Sequence, residues 1–285
     1  MDYFAIIVIL TIALSSCAKT AKILAIFPTP SISHQIVYRN LMLELNKRGH
    51  ELTIMTPDPI NNSSLKNYRE IDVSYSYDYM RKKFDYSSDD NRLIRWFPEI
   101  FLLVSIEVVR DFCEMYLSNE EMLKIIKDDQ KFDLLIVEWG IAPCMYAYNK
   151  KADAMMGIIS LQLGSMAQIA MGSTSNPAYV PEIGFDYTDH MTFPQRLRNT
   201  LFHLAAFAYV KFTLYDQDKI VKKYFGENTP SLFDTERQVS AILTNTHFSN
   251  LIPRPNVQNV IPIGGPPFHL LGKTPNPLPE VSFKF

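Results

Sequence analysis

A chain of 285 residues, 47% hydrophobic and 20% charged, is long enough for one large domain or two small ones and too apolar for intrinsic disorder. Its 28 basic and 30 acidic residues leave a formal charge of -2 with no basic stripe, which excludes nucleic acid as the expected partner. Aromatic residues reach 12% and Met is frequent, a mixture that suits an adaptable apolar pocket and an ordinary core equally well.

Residues 4–14 form an apolar run of signal-peptide length, too short to span a bilayer. Ser16 and Ala18 occupy the small positions before a cleavage point after Ala18, so a signal peptide over 1–18 and entry into the secretory pathway are expected. Asp2 in place of a basic residue, and the lipobox-like Leu14-Ser15-Ser16-Cys17, keep a membrane-anchored N-terminus as the alternative. Removing the signal leaves Cys113 and Cys144, too few for a disulfide scaffold and enough for one optional bridge. Asn61-Asn62-Ser63-Ser64 holds two overlapping glycosylation sequons in a polar stretch, which fits a lumenal surface loop.

Residues 22–27 read as a short buried strand that Pro28-Thr29-Pro30-Ser31 breaks into a loop. The next segment predicts a helix: Ser33 serves as N-cap, and Val37, Leu41 and Leu45 recur every four residues. Lys47 and Arg48 suit its last turn and Gly49 its C′ position. Residues 51–55 read as a second strand. Strand, helix and strand within about 35 residues make a βαβ unit, hence a parallel sheet with a right-handed crossover. A mostly helical stretch over 92–127, a strand at 134–138, a helix over 142–150 and a strand at 156–160 repeat the pattern, and the fold class is α/β. Residues 176–192 read as a long loop, 194–225 as a helix, and 241–246 and 259–263 as the last strands. The prolines from Pro266 to Pro279 predict an extended segment.

The loop after the first strand lacks G-x-G-x-x-G and therefore offers no phosphate cradle. His34, at the start of the first helix, faces the crevice that open α/β sheets form at the carboxyl ends of their strands. A neutral imidazole there can take a proton from a hydroxyl, while a surface histidine bonded to a backbone group is the bland reading; position alone leaves both open. His50 is expected to cap or pack between helix and second strand. His190, His203, His247 and His269 show no paired ligand spacing, so no metal is expected. The aromatic and Met-rich residues between Tyr75 and Leu102, among them Tyr77, Tyr79, Phe84, Trp96 and Phe97, either line an apolar pocket or fill the core. The apolar helix over 197–210 suits interfacial membrane contact or burial.

Residues 23–35, ending in Ser31-Ile32-Ser33-His34-Gln35 and continued by Arg48-Gly49-His50-Glu51, resemble the opening of the insect UDP-glycosyltransferases, close relatives of the vertebrate UDP-glucuronosyltransferases. Asn176-Pro177-Ala178-Tyr179-Val180-Pro181 and Met191-Thr192-Phe193 with Arg196 and Asn199 resemble the same family in the expected order. So do Leu243-Thr244-Asn245-Thr246-His247, Pro253-Arg254-Pro255 and Ile263-Gly264-Gly265, and the likeness covers nearly the whole mature chain. It implies a Rossmann-like acceptor-binding domain over 19–265, the N-terminal domain of a GT-B enzyme, followed by the start of a linker over 266–285. The UDP-sugar-binding C-terminal domain and its transmembrane tail are expected to be absent.

The resemblance also implies inverting transfer of a hexose, from UDP-glucose or UDP-glucuronate, to the hydroxyl of a small lipophilic acceptor. No cofactor or metal is implied, and the implied compartment is the lumen of the endoplasmic reticulum, with membrane association in the full-length form. His34 matches the family's general base, and a carboxylate on a later strand orients it. In Phe132-Asp133-Leu134-Leu135-Ile136-Val137-Glu138 the matching position holds Glu138 where the vertebrate enzymes carry aspartate, an arm longer by about 1.5 Å. Asp133 sits at the wrong end of that strand for the crevice, and a solvated strand end is the bland reading of Glu138. A non-catalytic module that binds lipophilic ligands, or pairs as a homo- or hetero-dimer with full-length relatives, is the rival reading. A nucleotide-dependent oxidoreductase is the remoter one, weakened by the missing glycine fingerprint.

Overall fold

The computed structural model describes residues 20–83, 98–162, 164–173, 175–247, 249 and 256–265. The expected signal peptide over 1–18, Phe84, Trp96, Phe97, Pro253-Arg254-Pro255, His269 and the Pro-rich segment 266–285 lie outside the described residues.

β1 (Lys22–Ile26) pairs in parallel with both β2 (Glu51–Thr56) and β4 (Leu134–Glu138). β3 (Tyr68–Asp72) adds beyond β2, while β5 (Met155–Ile159), β6 (Ala241–Thr244) and β7 (Val260–Pro262) add in turn beyond β4. The order is therefore β3-β2-β1-β4-β5-β6-β7, with every pairing parallel. Chain growth reverses direction between β1 and β4, and a doubly wound sheet opens its ligand crevice at the carboxyl ends of the two strands flanking such a reversal. The register Ile26↔Val137 brings the residue after β1, Phe27, level with Glu138.

Both faces of the sheet are covered, which is why β1 reads as a continuous apolar run. On one face Ala25 and Phe27 pack with Val37, Tyr38 and Met42 of α1 (Ile32–Lys47). On the other, Leu24 and Ile26 pack in a larger core. That core includes Phe112 and Tyr116 of α3 (Pro98–Leu117), Met122 and Ile125 of α4 (Glu120–Lys127), and Met145 and Tyr148 of a 3₁₀ helix (Pro143–Lys151). Leu214 and Val221 of α6 (Phe193–Phe225) complete it. Each such aliphatic or aromatic side chain contributes about 1.5–3 kcal/mol by leaving water. Cys113 of α3 and Cys144 of the 3₁₀ helix form a disulfide, Cα to Cα 6.0 Å, so the bridge that the sequence left optional is made.

Several elements depart from the sequence reading. Helix α1 begins two residues early: Ser31 holds the extended backbone of an N-cap (φ -150°, ψ 118°), and Ser33 lies inside the first turn with its hydroxyl 3.0 Å from that of Ser31. Gly49 follows the helix with φ +93°, as a C′ residue requires. Segment 143–151 coils as a 3₁₀ rather than an α-helix, with Pro143 in its first turn. The helical stretch is divided at Asn119, whose side-chain oxygen accepts from Glu121 N and Met122 N and starts α4.

Two short elements escaped the periodicity. β3 is an edge strand, largely polar in sequence and only partly buried, and α2 (Tyr75–Lys83) is too polar to show an apolar stripe. Among the described residues the other helices are α5 (Ser165–Ala170) and α7 (Leu232–Glu236). In helix α6, Phe202, Ala206 and Leu214 are buried while Leu197, Leu201 and Leu204 are exposed. Among the described residues no helix is long and apolar enough to cross a membrane.

Candidate active site

The loop from Phe27 to Ser31 leaves the carboxyl end of β1 and delivers His34 to the first turn of α1. Gln35 ties the loop down: its Nε2 donates to Thr29 O at 2.8 Å while its Oε1 accepts from Thr56 Oγ1 at 2.9 Å. From the other side of the sheet the Tyr116 hydroxyl donates to Pro28 O at 2.5 Å. The loop therefore has a fixed shape without any glycine, which explains how a Pro-Thr-Pro sequence replaces a phosphate-binding turn.

Glu138 ends β4 directly opposite. Nδ1 of His34 lies 2.7 Å from its Oε1, with the histidine side chain 14% exposed and the glutamate side chain fully buried. The same oxygen accepts from the Tyr38 hydroxyl at 2.8 Å, and Oε2 accepts from Thr29 N at 3.1 Å. Glu138 is thus no solvated strand end, and the extra methylene over aspartate is taken up within a closed set of donors. Because the carboxylate accepts, the imidazole hydrogen belongs on Nδ1, which leaves the Nε2 lone pair unbonded among the described residues. Burial and the Glu138 charge push the Tyr38 phenol well above its ordinary range, so its hydroxyl remains a donor.

Two hydroxyls complete the surroundings. Thr29 Oγ1 and Ser160 Oγ are buried and find no partner among the described residues, although both residues use their backbone N–H groups in this network. An unpaired buried hydroxyl costs about 1–3 kcal/mol, and such costs concentrate where a site keeps polar atoms for a ligand.

The other sequence candidates lie elsewhere. Asp133, at the opposite end of β4, accepts from Lys22 N at 2.6 Å and joins the two strand starts. His50 Nδ1 accepts from Ala21 N at 3.2 Å, just before β1. His203 pairs with Glu182 and His247 with Ser249, while His190 is exposed near Asp189. Among the described residues no group of three or more His, Cys, Asp or Glu is arranged to hold a metal ion. Of the aromatic stretch, Tyr75 is exposed on α2, Tyr79 packs against the larger core, and the side chains of Phe101 and Leu102 are outside the described set. Sequence reasoning missed Tyr38. The available signal was its place one turn after His34 on the same helix face.

A doubly wound parallel sheet with a histidine–carboxylate pair over its switch point makes this a Rossmann-like α/β domain. The chain belongs to the UDP-glucoronosyl and UDP-glucosyl transferase family, whose model matches residues 21–283, and the fold is that of the N-terminal domain of a GT-B glycosyltransferase. It is 33% identical over 289 residues to UDP-glucosyltransferase 2 of Dactylopius coccus, covering 100% of this chain and 54% of that protein. It is 28% identical over 269 residues to the 2-hydroxyacylsphingosine 1-beta-galactosyltransferase of Rattus norvegicus, with 92% and 48% covered. UDP-glucuronosyltransferase 2B19 of Macaca fascicularis is 24% identical over 294 residues, with 96% and 53% covered. The chain spans about half the length of the curated relatives it matches.

Proposed function

We propose that this chain is the acceptor side of a UDP-glycosyltransferase, in which His34 removes the proton from the hydroxyl of a small lipophilic acceptor. The observation that carries the reading is the His34–Glu138 pair at the switch point, with Nδ1 engaged at 2.7 Å and Nε2 left for substrate. The acceptor hydroxyl gives its proton to Nε2 as its oxygen forms a bond to the anomeric carbon. On the opposite face of that carbon the bond to UDP breaks and the pair of electrons leaves with UDP, so configuration inverts. Glu138 faces the imidazolium that forms, which is the part a carboxylate plays beside a histidine base. A positioned base supplies about 10²- to 10⁴-fold, and holding donor and acceptor in line supplies more.

UDP-glucose is the favoured donor, supported by the name of the 33% identical relative, with UDP-glucuronate and UDP-galactose as the alternatives that other relatives' names suggest. No metal or cofactor takes part in this scheme. The compartment is the lumen of the secretory pathway. The Cys113–Cys144 bridge supports it, since such bridges persist where the environment is oxidising, and so do the exposed Asn61 and Asn62 of the sequons.

The test is transfer of labelled sugar from UDP-glucose, UDP-galactose and UDP-glucuronate to a panel of lipophilic alcohols. The chain is assayed alone and joined to the remaining half of the 33% identical relative, with that relative intact as control. Transfer by the joined protein supports the reading, and none from any donor while the control is active overturns it.

A further inference from the structure

Glutamate has one more rotatable bond than the aspartate it replaces, so a glutamate in this place needs firmer anchoring to present one oxygen to His34. The anchor is on the page. Tyr38, fully buried, donates its hydroxyl hydrogen to Glu138 Oε1 at 2.8 Å and accepts from Ser160 N at 3.2 Å. Ser160 follows β5 and is itself fixed through its carbonyl, which accepts from Asn245 Nδ2 at 3.0 Å beyond β6. The phenol ring is stacked on Phe27, centroids 4.5 Å apart and planes 22° from parallel. Tyr38 is four residues after His34 on α1, so one helix carries both the imidazole and the group that holds the imidazole's partner.

We propose that Tyr38 is a positioning residue of this site, fixing the Glu138 carboxylate and through it the hydrogen on Nδ1 of His34. The direction of each bond follows from the chemistry. The lone-pair side of the phenol is occupied by the Ser160 N–H, so its hydrogen points to Glu138. Glu138 Oε1 then accepts twice, from Tyr38 and from Nδ1, and Oε2 accepts from Thr29 N at 3.1 Å. Removing the phenol oxygen leaves Ser160 N–H without its partner and lets the carboxylate turn about its last bond. The Nε2–H form of the imidazole, in which the catalytic lone pair is lost, then competes with the Nδ1–H form. This inference rests on the His34–Glu138 reading of the site, but its test reads the pair directly and needs no turnover.

The experiment is Tyr38→Phe in the full chain, with the His34 tautomer read from the side-chain ¹⁵N shifts. Tyr38→Phe keeps the ring and its stacking on Phe27. The expected result is a fall of about tenfold in the ratio of Nδ1–H to Nε2–H, the equivalent of one net hydrogen bond. Tyr148→Phe is the control for loss of a buried hydroxyl as such, because Tyr148 is equally buried and donates to Met122 O at 3.2 Å away from the pair; it leaves the ratio unchanged. In the joined protein, Tyr38→Phe is expected to lower kcat about tenfold and leave KM for the acceptor unchanged. A folded Tyr38→Phe chain with an unaltered tautomer ratio overturns the proposal, whatever its activity. Absence of transfer by the unsubstituted protein overturns the functional reading and not this one. If Tyr38→Phe does not fold, hydroxyl-proton exchange in the unaltered chain decides. A slowly exchanging Tyr38 proton supports the anchor, and exchange as fast as that of an exposed phenol overturns it.

Discussion

His203 Nδ1 and Glu182 Oε1 lie 2.6 Å apart, a second histidine–carboxylate pair with the same contact as the one at the switch point. Its surroundings assign it a different part. Glu182 belongs to the long loop before α6 and His203 to α6 itself, where Asn199 Nδ2 donates to Pro177 O and Val180 O and its Oδ1 accepts from Glu182 N. These bonds pin the loop to the helix. Neither residue comes from α1 or β4, the elements that carry the His34–Glu138 pair.

The clamp can be tested by His203→Ala. Removing one partner of a buried pair costs about 3 kcal/mol, and the loop loses its central tether. Thermal unfolding should shift down accordingly, and limited proteolysis should gain a cut within 176–192. Unchanged stability and unchanged cleavage would show that Asn199 alone holds the loop.

The bridge between Cys113 and Cys144 spans 31 residues and ties α3 to the 3₁₀ helix. Cross-linking a loop of that size stabilises by about 3–4 kcal/mol in the chain-entropy description. The double substitution Cys113→Ser with Cys144→Ser is expected to lower the unfolding free energy from urea titration by that amount, and reducing agent should then have no further effect.

Glu236, at the end of α7, has its carboxyl pushed up from 4.5 to about 6, chiefly by burial, with Lys211 and Arg237 pulling the other way. A carboxyl whose folded value is raised favours the folded state fully below its unfolded value and loses that contribution as pH rises through 6. Glu236→Gln removes the penalty of charging it. The substitution should leave stability unchanged near pH 4 and raise it by about 1 kcal/mol at pH 8, a figure reduced for partial solvent access. Thermal melts at the two pH values check it, and an equal effect at both contradicts the titration.

Glu138→Gln keeps the size and removes the charge that faces the imidazolium, and it sets an amide NH₂ or a rotated side chain against the Thr29 N–H donor. In the joined protein kcat is expected to fall by at least about 10²-fold. Glu138→Asp shortens the arm by about 1.5 Å and should cost less, because charge is kept while the Tyr38 and His34 contacts stretch. Gln being the milder substitution would show that length, and not charge, is what the site requires.

The β1-α1-β2 unit was legible because its signals are local: an apolar run, a proline break, a four-residue apolar spacing and a terminal glycine. His34 was legible as a position, since the first turn after β1 always faces the crevice of such a sheet. Its partner was not derivable from spacing, because Glu138 is 104 residues away and meets it only through the β1–β4 register; the family resemblance supplied it. Tyr38 was not singled out in the sequence, because only the partner on β4 gives its hydroxyl a use. β3 and α2 were unreadable because an edge strand and a polar helix carry little periodicity. The Cys113–Cys144 pairing, like Glu138, needed the tertiary approach of two segments.

The most direct test of the central claim is kcat for sugar transfer by the joined protein with His34→Ala, at saturating donor and acceptor. A base held by Glu138 should cost about 10²- to 10⁴-fold when it is removed, with folding intact and acceptor binding little changed. Turnover equal to that of the unsubstituted protein would contradict the assignment of His34 as the group that takes the acceptor's proton.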